Sequence, residues 1–336
     1  MKTTHKILAV LLSAAILTGC GAASSESVSE SAEGSSAVVT EKSLVTLGDS
    51  ISAGYGLDDA LSQRYSALLK DQLQARDNIT WQDYNYAVSG DDSGDLVRNL
   101  NNGRALHAPS ADTIILYIGA NNLLGAYTDY FMNKAEENGF DLSDPENLTD
   151  EDITELQEKM EDEIEDADAV MESVQSIIDE NLIQLDSDLE TIYQWIRERN
   201  TKADIYVLNI YNPYTEDISS ELIGQDTDFS EYAQSQIDRA NEIIAGLIEK
   251  HDDLIPVDIA SAFAACDPIP VLGSSIAEIS DETDGTDSAE ITDSADGTDN
   301  ADTAISMEME GYDPHPNADG QKLIADTIYQ IMESRS

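Results

Sequence analysis

The sequence predicts a doubly wound α/β fold, three layers α/β/α around a five-stranded parallel sheet. Three observations carry that expectation. Short β-rich apolar runs alternate with helical segments, a pattern that implies parallel strands joined by right-handed crossovers. The runs Thr113–Ile118 and Ile205–Ile210 are apolar almost throughout, as in strands covered on both faces. Five such runs fit the flavodoxin-like strand order 2-1-3-4-5.

Each element follows in turn. Leu44–Leu47 reads as the first strand and ends at Gly48. Helical signals continue to Arg76, with Tyr65, Leu68, Leu69 and Leu73 at helical spacing. A second strand reads near Trp81–Val88 and stops before Ser89-Gly90, and Asp95–Asn101 reads as a short helix. Leu254–Ile259 is the fifth strand, and Ala318–Met332 closes the chain as a helix.

Two segments interrupt this alternation. Thr149–Arg199 is helical, with Ile153, Leu156, Met160, Ile164, Ala167, Val170, Val174 and Ile177 in one apolar stripe. Thr149 with Asp152 resembles a weak capping box. The stretch is too long for one ordinary crossover, so part of it is expected to stand above the sheet. The second segment, Gly273–Glu310, has no Lys or Arg and almost no apolar periodicity, and is expected to be a disordered loop. It repeats Asp284-Gly285-Thr286-Asp287 as Asp296-Gly297-Thr298-Asp299. An EF-hand calcium loop would need acidic or amide side chains where Ser294 and Thr292 stand, so the spacing fails that template.

The 336 residues include 17 Lys or Arg against 68 Asp or Glu, a formal net charge of −51. That balance argues against nucleic-acid binding, which needs clustered basic residues, and against electrostatic attraction to anionic lipid. The acidity is concentrated: Thr128–Glu190 holds 23 acids and two lysines, and Gly273–Glu310 holds 12 acids and no base. Both read as acidic elaborations on the domain, the first (about 128–190) helical and the second (273–310) of low complexity. Their expected effect is to keep the domain soluble and off anionic surfaces.

At the N-terminus Lys2 and Lys6 precede an apolar run, Ile7–Leu17, too short to span a bilayer. It ends in Leu17-Thr18-Gly19-Cys20, which resembles the lipobox of bacterial lipoproteins. The resemblance implies a signal peptide over 1–19, a lipidated Cys20 and an extracytoplasmic, membrane-anchored protein. An ordinary secretion signal with a chance cysteine is the alternative. Residues 20–42, rich in Ser, Ala, Gly and Glu, read as a flexible tether with an r.m.s. span of about 25 Å. Cys266, in Ala-Phe-Ala-Ala-Cys, reads as a small core residue, and no intramolecular disulfide is expected.

Ligands of an open parallel sheet bind beyond the carboxyl ends of its strands, near the reversal of strand order. Those ends carry Gly48-Asp49-Ser50, Ser89-Gly90-Asp91 and Gly119-Ala120-Asn121-Asn122. In the order 2-1-3, Ser50 lies between Gly90 and Asn121, so a hydroxyl neighbours a backbone N–H and a side-chain amide. Acyl transfer needs that combination, a nucleophile with donors aimed at the developing oxyanion. Three histidines follow the leader. His107 lies in a loop, His251 follows a helix as a capping cation, and His315 sits between Pro314 and Pro316 with Asp313 nearby. His315 is the candidate base. Asp49 reads as an acceptor for loop amides.

With these residues in view the chain resembles the GDSL/SGNH-type serine hydrolases. Gly48-Asp-Ser-Ile-Ser-Ala-Gly-Tyr-Gly56 resembles the first block of that family, with Ser50 as nucleophile. Asn85-Tyr-Ala-Val-Ser-Gly90 resembles the second and Gly119-Ala-Asn121-Asn122 the third. Asp313-Pro-His315-Pro-Asn-Ala-Asp-Gly320 resembles the last. The blocks stand in family order across Ser43–Arg335. The resemblance implies the SGNH hydrolase fold over 43–336. It also implies an oxyanion hole of the Ser50 and Gly90 N–H groups with the Asn121 amide, His315 as base, and no metal or organic cofactor.

The sequence departs from the family pattern twice. Asn122 stands where the third block usually has Asp, so a local change of hydrogen bonding is expected there. The acid usually three residues before the histidine is replaced by Tyr312, and Asp313 is only two before. Either the chain bulges to bring Asp313 to the ring, or a backbone carbonyl orients His315 in a dyad. The expected activity is hydrolysis of carboxylic esters. The first block most resembles lysophospholipase- and thioesterase-like members, which implies fatty acyl esters. O-deacetylation of a polysaccharide is the alternative within enzymes, and a non-catalytic surface binding module is the alternative outside them. Small-molecule or glycan esters are the expected partners, and the membrane is reached only through the N-terminal lipid.

Overall fold

The structure, a computed structural model, describes residues 41–140, 155–156, 159, 167–215, 229–274 and 312–335. In chain order the elements are β1 (Glu41–Gly48), α1 (Ser50–Ala53), α2 (Ala60–Gln63), α3 (Tyr65–Asp77), β2 (Thr80–Asn85), α4 (Ser93–Asn101), β3 (Thr113–Tyr117) and α5 (Ala120–Glu137). There follow α6 (Ala167–Arg199), β4 (Asp204–Leu208), α7 (Phe229–Lys250), β5 (Leu254–Val257), α8 (Ile259–Ala264), β6 (Val271–Ser274), β7 (Tyr312–Pro316) and α9 (Ala318–Ser334). The main sheet is parallel throughout, in the order β2-β1-β3-β4-β5.

Crossover handedness distributes the helices. The step from β1 to β2 goes one way along the sheet and the later steps go the other, so right-handed crossovers put α3 on one face and α4, α6 and α7 on the opposite face. Strand alternation then divides the core. Leu44, Ile115, Tyr117, Tyr206 and Leu208 pack with Leu69 and Leu73 of α3 and Ile324 and Ile328 of α9. Val45, Leu47, Ile114, Leu116, Ile205 and Val207 pack with Leu96 of α4, Ile178 and Leu185 of α6 and Ile244 of α7. Among the described residues no helix is long and apolar enough to cross a membrane.

Several sequence expectations shift. Strand β1 starts at Glu41, so Glu41 and Lys42 leave the tether and pair with Thr80 and Trp81. Lys42 lies over the Trp81 ring, 5.3 Å from its centroid. Strand β2 stops at Asn85, although Tyr86 and Val88 still donate to the Thr46 and Gly48 carbonyls. Ile259 belongs to α8, because the Asp258 side chain caps that helix through the Ser261 N–H. Gly273 and Ser274, read as the start of a disordered loop, are strand β6, paired antiparallel with β7. The remainder of that loop through Glu310 lies outside the described residues.

The acidic segment placed at about 128–190 is described at its two ends, both helical. Thr128–Glu137 is the second half of α5, which buries Tyr130, Phe131 and Ala135. From Ala167 onward the chain is the β3-to-β4 crossover helix itself. Val170, Val174, Ile178, Leu182, Leu185, Leu189, Ile192 and Ile196 recur every three or four residues and all join the core. From Val170 on, the apolar stripe therefore packs against the domain; Asp188 is buried with it, while Glu172, Asp179, Glu180 and Asp186 are exposed on the other faces. Some of these meet bases: Asp179–Arg239 at 2.7 Å and Asp186–Lys250 at 3.4 Å join α6 to α7. The capping box at Thr149 lies outside the described residues.

Candidate active site

The chain turns sharply where β1 meets α1. A Cβ on Gly48 would collide with the Tyr117 carbonyl and the Ser52 hydroxyl, so only glycine allows the strand and helix this close. Asp49 caps α1 by accepting the Ile51 N–H at 3.0 Å, and Ser50 is the first helical residue. Its N–H, in the first turn, has no intrahelical acceptor. Asn85 donates to the Ser52 carbonyl at 2.7 Å, and Ser52 shares a 2.7 Å hydrogen bond with Tyr65. Gln321, buried on α9, donates to the Ile51 carbonyl at 2.9 Å and accepts the Tyr65 N–H at 2.8 Å. One amide thus ties the nucleophile turn to α3. Nothing in the sequence reading singled out Gln321, because its partners lie far away in the chain.

Ser50 Oγ lies 2.8 Å from His315 Nε2, and His315 Nδ1 lies 2.6 Å from Asp313 Oδ1. The structure therefore brings Ser50, His315 and Asp313 into one hydrogen-bonded line. Strand geometry makes the two-residue spacing work. Val271 pairs with Pro316 and Gly273 with Asp313, so two steps on β6 oppose three on β7, the count of a β-bulge. The His315 N–H also donates to Asp313 Oδ1 at 2.9 Å, which folds the acid back onto the ring. Of the two arrangements open to the sequence, the carboxylate on the ring is the one present. Burial raises the Asp313 carboxyl, but the ring bond, the backbone N–H and the charge of His315 outweigh it and hold the group below its usual range. An ionised carboxylate only accepts, so Nδ1 carries the proton and Nε2 is left to accept from Ser50.

The candidate oxyanion donors flank this line. β1 lies between β2 and β3, so the loops bearing Gly90 and Asn121 stand on either side of Ser50. Gly90 adopts φ 85°, and among the described residues nothing takes its N–H. Asn121 Nδ2 donates one hydrogen to the Asp91 carbonyl at 2.9 Å, which links the two loops and leaves its second hydrogen available. Asn122 turns into the protein: it accepts the Ser93 N–H at 3.1 Å and donates to Ser93 Oγ at 2.9 Å. Ser93 Oγ donates in turn to Asp188 of α6 at 2.8 Å. The carboxylate that the family usually carries at position 122 is thus supplied from another helix, one hydroxyl away.

Two further carboxyls are buried close by. Asp49 is 1% exposed, and its Oδ2 has no partner among the described residues. Burial pushes its carboxyl up to about 7, against the downward pull of the Ile51 N–H and His315. Asp91 is pushed up to about 6 by burial, despite the 2.6 Å bond from Asn99. Tyr55, 38% exposed, lays its ring against His315 with centroids 4.6 Å apart.

The other singled-out residues are elsewhere. His107 stacks on Tyr84 at 3.6 Å and hydrogen-bonds the Tyr86 hydroxyl. His251 turns its ring to Glu190 of α6 at 3.0 Å, so its side chain serves a hydrogen bond to that helix and does not cap the preceding carbonyls. Cys266 is half-buried, its thiol directed to the Ala262 carbonyl at 3.5 Å, and is not a full core residue. Cys20 lies outside the described residues. Among the described residues no group of three or more His, Cys, Asp or Glu is placed to hold a metal ion.

Comparison with known proteins bears on the fold and the family. A crystallised lipase from a goat rumen metagenome is 15% identical, covers 86% of this chain and 97% of its own, and superposes with a TM-score of 0.51. The extracellular lipase of Streptomyces rimosus is 17% identical, with coverage of 88% and 100% and a TM-score of 0.50. At such identities these likenesses show the fold. No curated protein sequence matches the chain. Residues 46–323 match the model of the GDSL-like lipase/acylhydrolase family, a span that takes in all four blocks. The chain belongs to that family of esterases and lipases.

Proposed function

We propose that the protein hydrolyses carboxylic esters through a Ser50–His315–Asp313 acyl-enzyme mechanism. The observation that carries this reading is the continuous line of hydrogen bonds, 2.8 Å from Ser50 to His315 and 2.6 Å from His315 to Asp313. As Ser50 Oγ bonds to the ester carbonyl carbon, His315 Nε2 takes the hydroxyl proton and Asp313 steadies the imidazolium. The N–H groups of Ser50 and Gly90 and the amide of Asn121 hold the oxyanion. On collapse of that intermediate, the imidazolium gives its proton to the departing alkoxide, which leaves as the alcohol. Water, deprotonated by His315, then attacks the acyl-enzyme and releases the acid, and the proton returns to Ser50.

Fatty acyl esters such as lysophospholipids are the proposed substrates, on the strength of the first block, and the proposed location is the outer face of a membrane to which Cys20 is lipid-anchored. A second reading, removal of O-acetyl groups from a polysaccharide, is favoured by one observation. β1 enters the domain at Glu41, and Ser50 follows its other end, eight residues or about 26 Å away. A flexible tether entering at the pole opposite the site leaves esters presented from outside within reach, as well as those of its own membrane. Fluorophosphonate labelling tests the mechanism: Ser50 is expected to label, and an unlabelled Ser50 in folded protein would leave only a non-catalytic surface binding module. Rates on p-nitrophenyl esters of increasing acyl length separate the substrates. Strict preference for acetyl defeats the lipid reading.

A further inference from the structure

Two Tyr-x-Pro segments meet behind the histidine. Tyr211-Asn212-Pro213 follows β4, and Tyr312-Asp313-Pro314 is the start of β7. The Tyr211 hydroxyl donates to the Pro314 carbonyl at 2.7 Å, and the Tyr312 hydroxyl donates to the Pro213 carbonyl at 2.7 Å. The exchange is reciprocal: each tyrosine grips the proline two residues beyond the other. Pro314 is the residue between Asp313 and His315, so fixing its carbonyl fixes the peptide plane that leads into His315.

The segment has need of such support. Among the described residues strand β7 does not join the five-stranded sheet; it pairs only with β6, across a bulge, and a two-stranded ribbon is marginal by itself. A site of this kind tolerates about 0.5 Å of misplacement. The main sheet provides the missing rigidity through Tyr211. That ring is buried and stacks on Phe263, centroids 4.0 Å apart and 15° from parallel, so its hydroxyl has little freedom to swing. Burial pushes both phenols well above their ordinary range, which keeps both hydroxyls protonated as donors.

We propose that Tyr211 and Tyr312 are positioning residues, a reciprocal Tyr-x-Pro brace that ties the Asp313–His315 segment to the end of β4 and holds the imidazole in line with Ser50. The proposal rests on the hydrolase reading above. It also gives Tyr312 a role at the position where the family usually places its acid: the acid has moved one residue along, and the vacated position anchors the strand that carries it.

The test removes one hydroxyl at a time. In Tyr211→Phe and Tyr312→Phe, kcat for p-nitrophenyl acetate is expected to fall by about 10- to 100-fold with KM nearly unchanged, since misplacement of about 1 Å can cost that much. The downfield proton resonance of His315 Nδ1–H should weaken or vanish in both. Tyr206→Phe, a buried tyrosine in the body of β4 near Asp204 and Arg335, serves as control and should match the parent. Should Tyr211→Phe fail to fold, Tyr312→Phe, whose ring is only partly buried, carries the test. Parent-like kcat and an intact resonance in the folded variants would overturn the brace. If the parent neither hydrolyses esters nor labels with fluorophosphonate, yet its resonance is present and is lost in the variants, the brace stands and the hydrolase reading fails.

Discussion

Asp313 Oδ1 receives two hydrogen bonds from His315, one from the ring Nδ1–H at 2.6 Å and one from the backbone N–H at 2.9 Å. A single oxygen therefore sets both the tautomer of the base and the turn that presents it. Asp313→Asn keeps the shape but can accept from the ring only by turning its own NH₂ elsewhere. Its kcat is expected to fall by about 10³- to 10⁴-fold with little change in KM, read from steady-state kinetics on p-nitrophenyl acetate. The carboxyl is held below its usual range, so the stability it adds is present above its unfolded value near pH 4 and is lost as pH falls through the lower folded value. Thermal melts from pH 6 down to pH 3 should show that loss in the parent and not in Asp313→Asn.

Asn121 offers one amide hydrogen to the Asp91 carbonyl and the other to the proposed oxyanion. Asn121→Ala should lower kcat by about 10²- to 10³-fold, the usual effect of deleting one such donor. Asn121→Asp should be worse, because its charge opposes the developing oxyanion. Fluorophosphonate labelling rates, which depend on the same hole, should fall in parallel with kcat.

Asp49 is buried with its carboxyl pushed up to about 7, so the folded chain binds a proton there more tightly than the unfolded chain does. The sign follows directly. Stability contributed by this group is greatest at low pH and declines as pH rises from about 4 to 7, above which the penalty of a buried charge is constant. Asp49→Asn can retain the cap to the Ile51 N–H without that charge. Its melting temperature should exceed the parent's at pH 8, and the gap should close toward pH 5. A gap that does not change with pH would assign the effect to packing instead.

Asn122 and Asp188 share Ser93 Oγ, the first donating to it and the second accepting from it. Asn122→Asp would place a carboxylate against Ser93 Oγ, whose proton already serves Asp188, and opposite the Asn181 carbonyl. A loss of about 2–4 kcal/mol in chemical denaturation at pH 8 is expected, as for a buried charge without a partner. Adding Asp188→Asn should recover part of it, because the amide can donate where Ser93 could not.

The crossover helix gives a sharper contrast. Leu185 of α6 is fully buried, whereas Ile183 is 74% exposed on the same helix. Leu185→Ala should destabilise by about 2–5 kcal/mol, and Ile183→Ala should change stability by about 0.5 kcal/mol or less. Equal costs in urea denaturation would place α6 away from the core.

The sequence by itself determined the sheet. Thr113–Tyr117 and Asp204–Leu208 are apolar enough to require cover on both faces, the alternation of strands and helices requires parallel crossovers, and handedness then sorts the helices onto their faces. Strand ends were legible to within a few residues for the same reason, and with them Ser50, Gly90 and Asn121, since each stands two to five residues beyond a strand in the chain. Other features depended on contacts between distant segments, which local periodicity does not encode. The strand at Tyr312–Pro316 exists only because β6 pairs with it, and its bulge is what turns an unusual two-residue spacing into a carboxylate on the ring. The 167–190 stretch read as part of an acidic elaboration because charge is a property of composition. Its burial depends on which side of the helix faces β3 and β4. Gln321, Asp188 and the Tyr211–Tyr312 brace were silent in the sequence for one physical reason: a hydrogen bond across 95 to 270 residues leaves no spacing to read until the chain has folded.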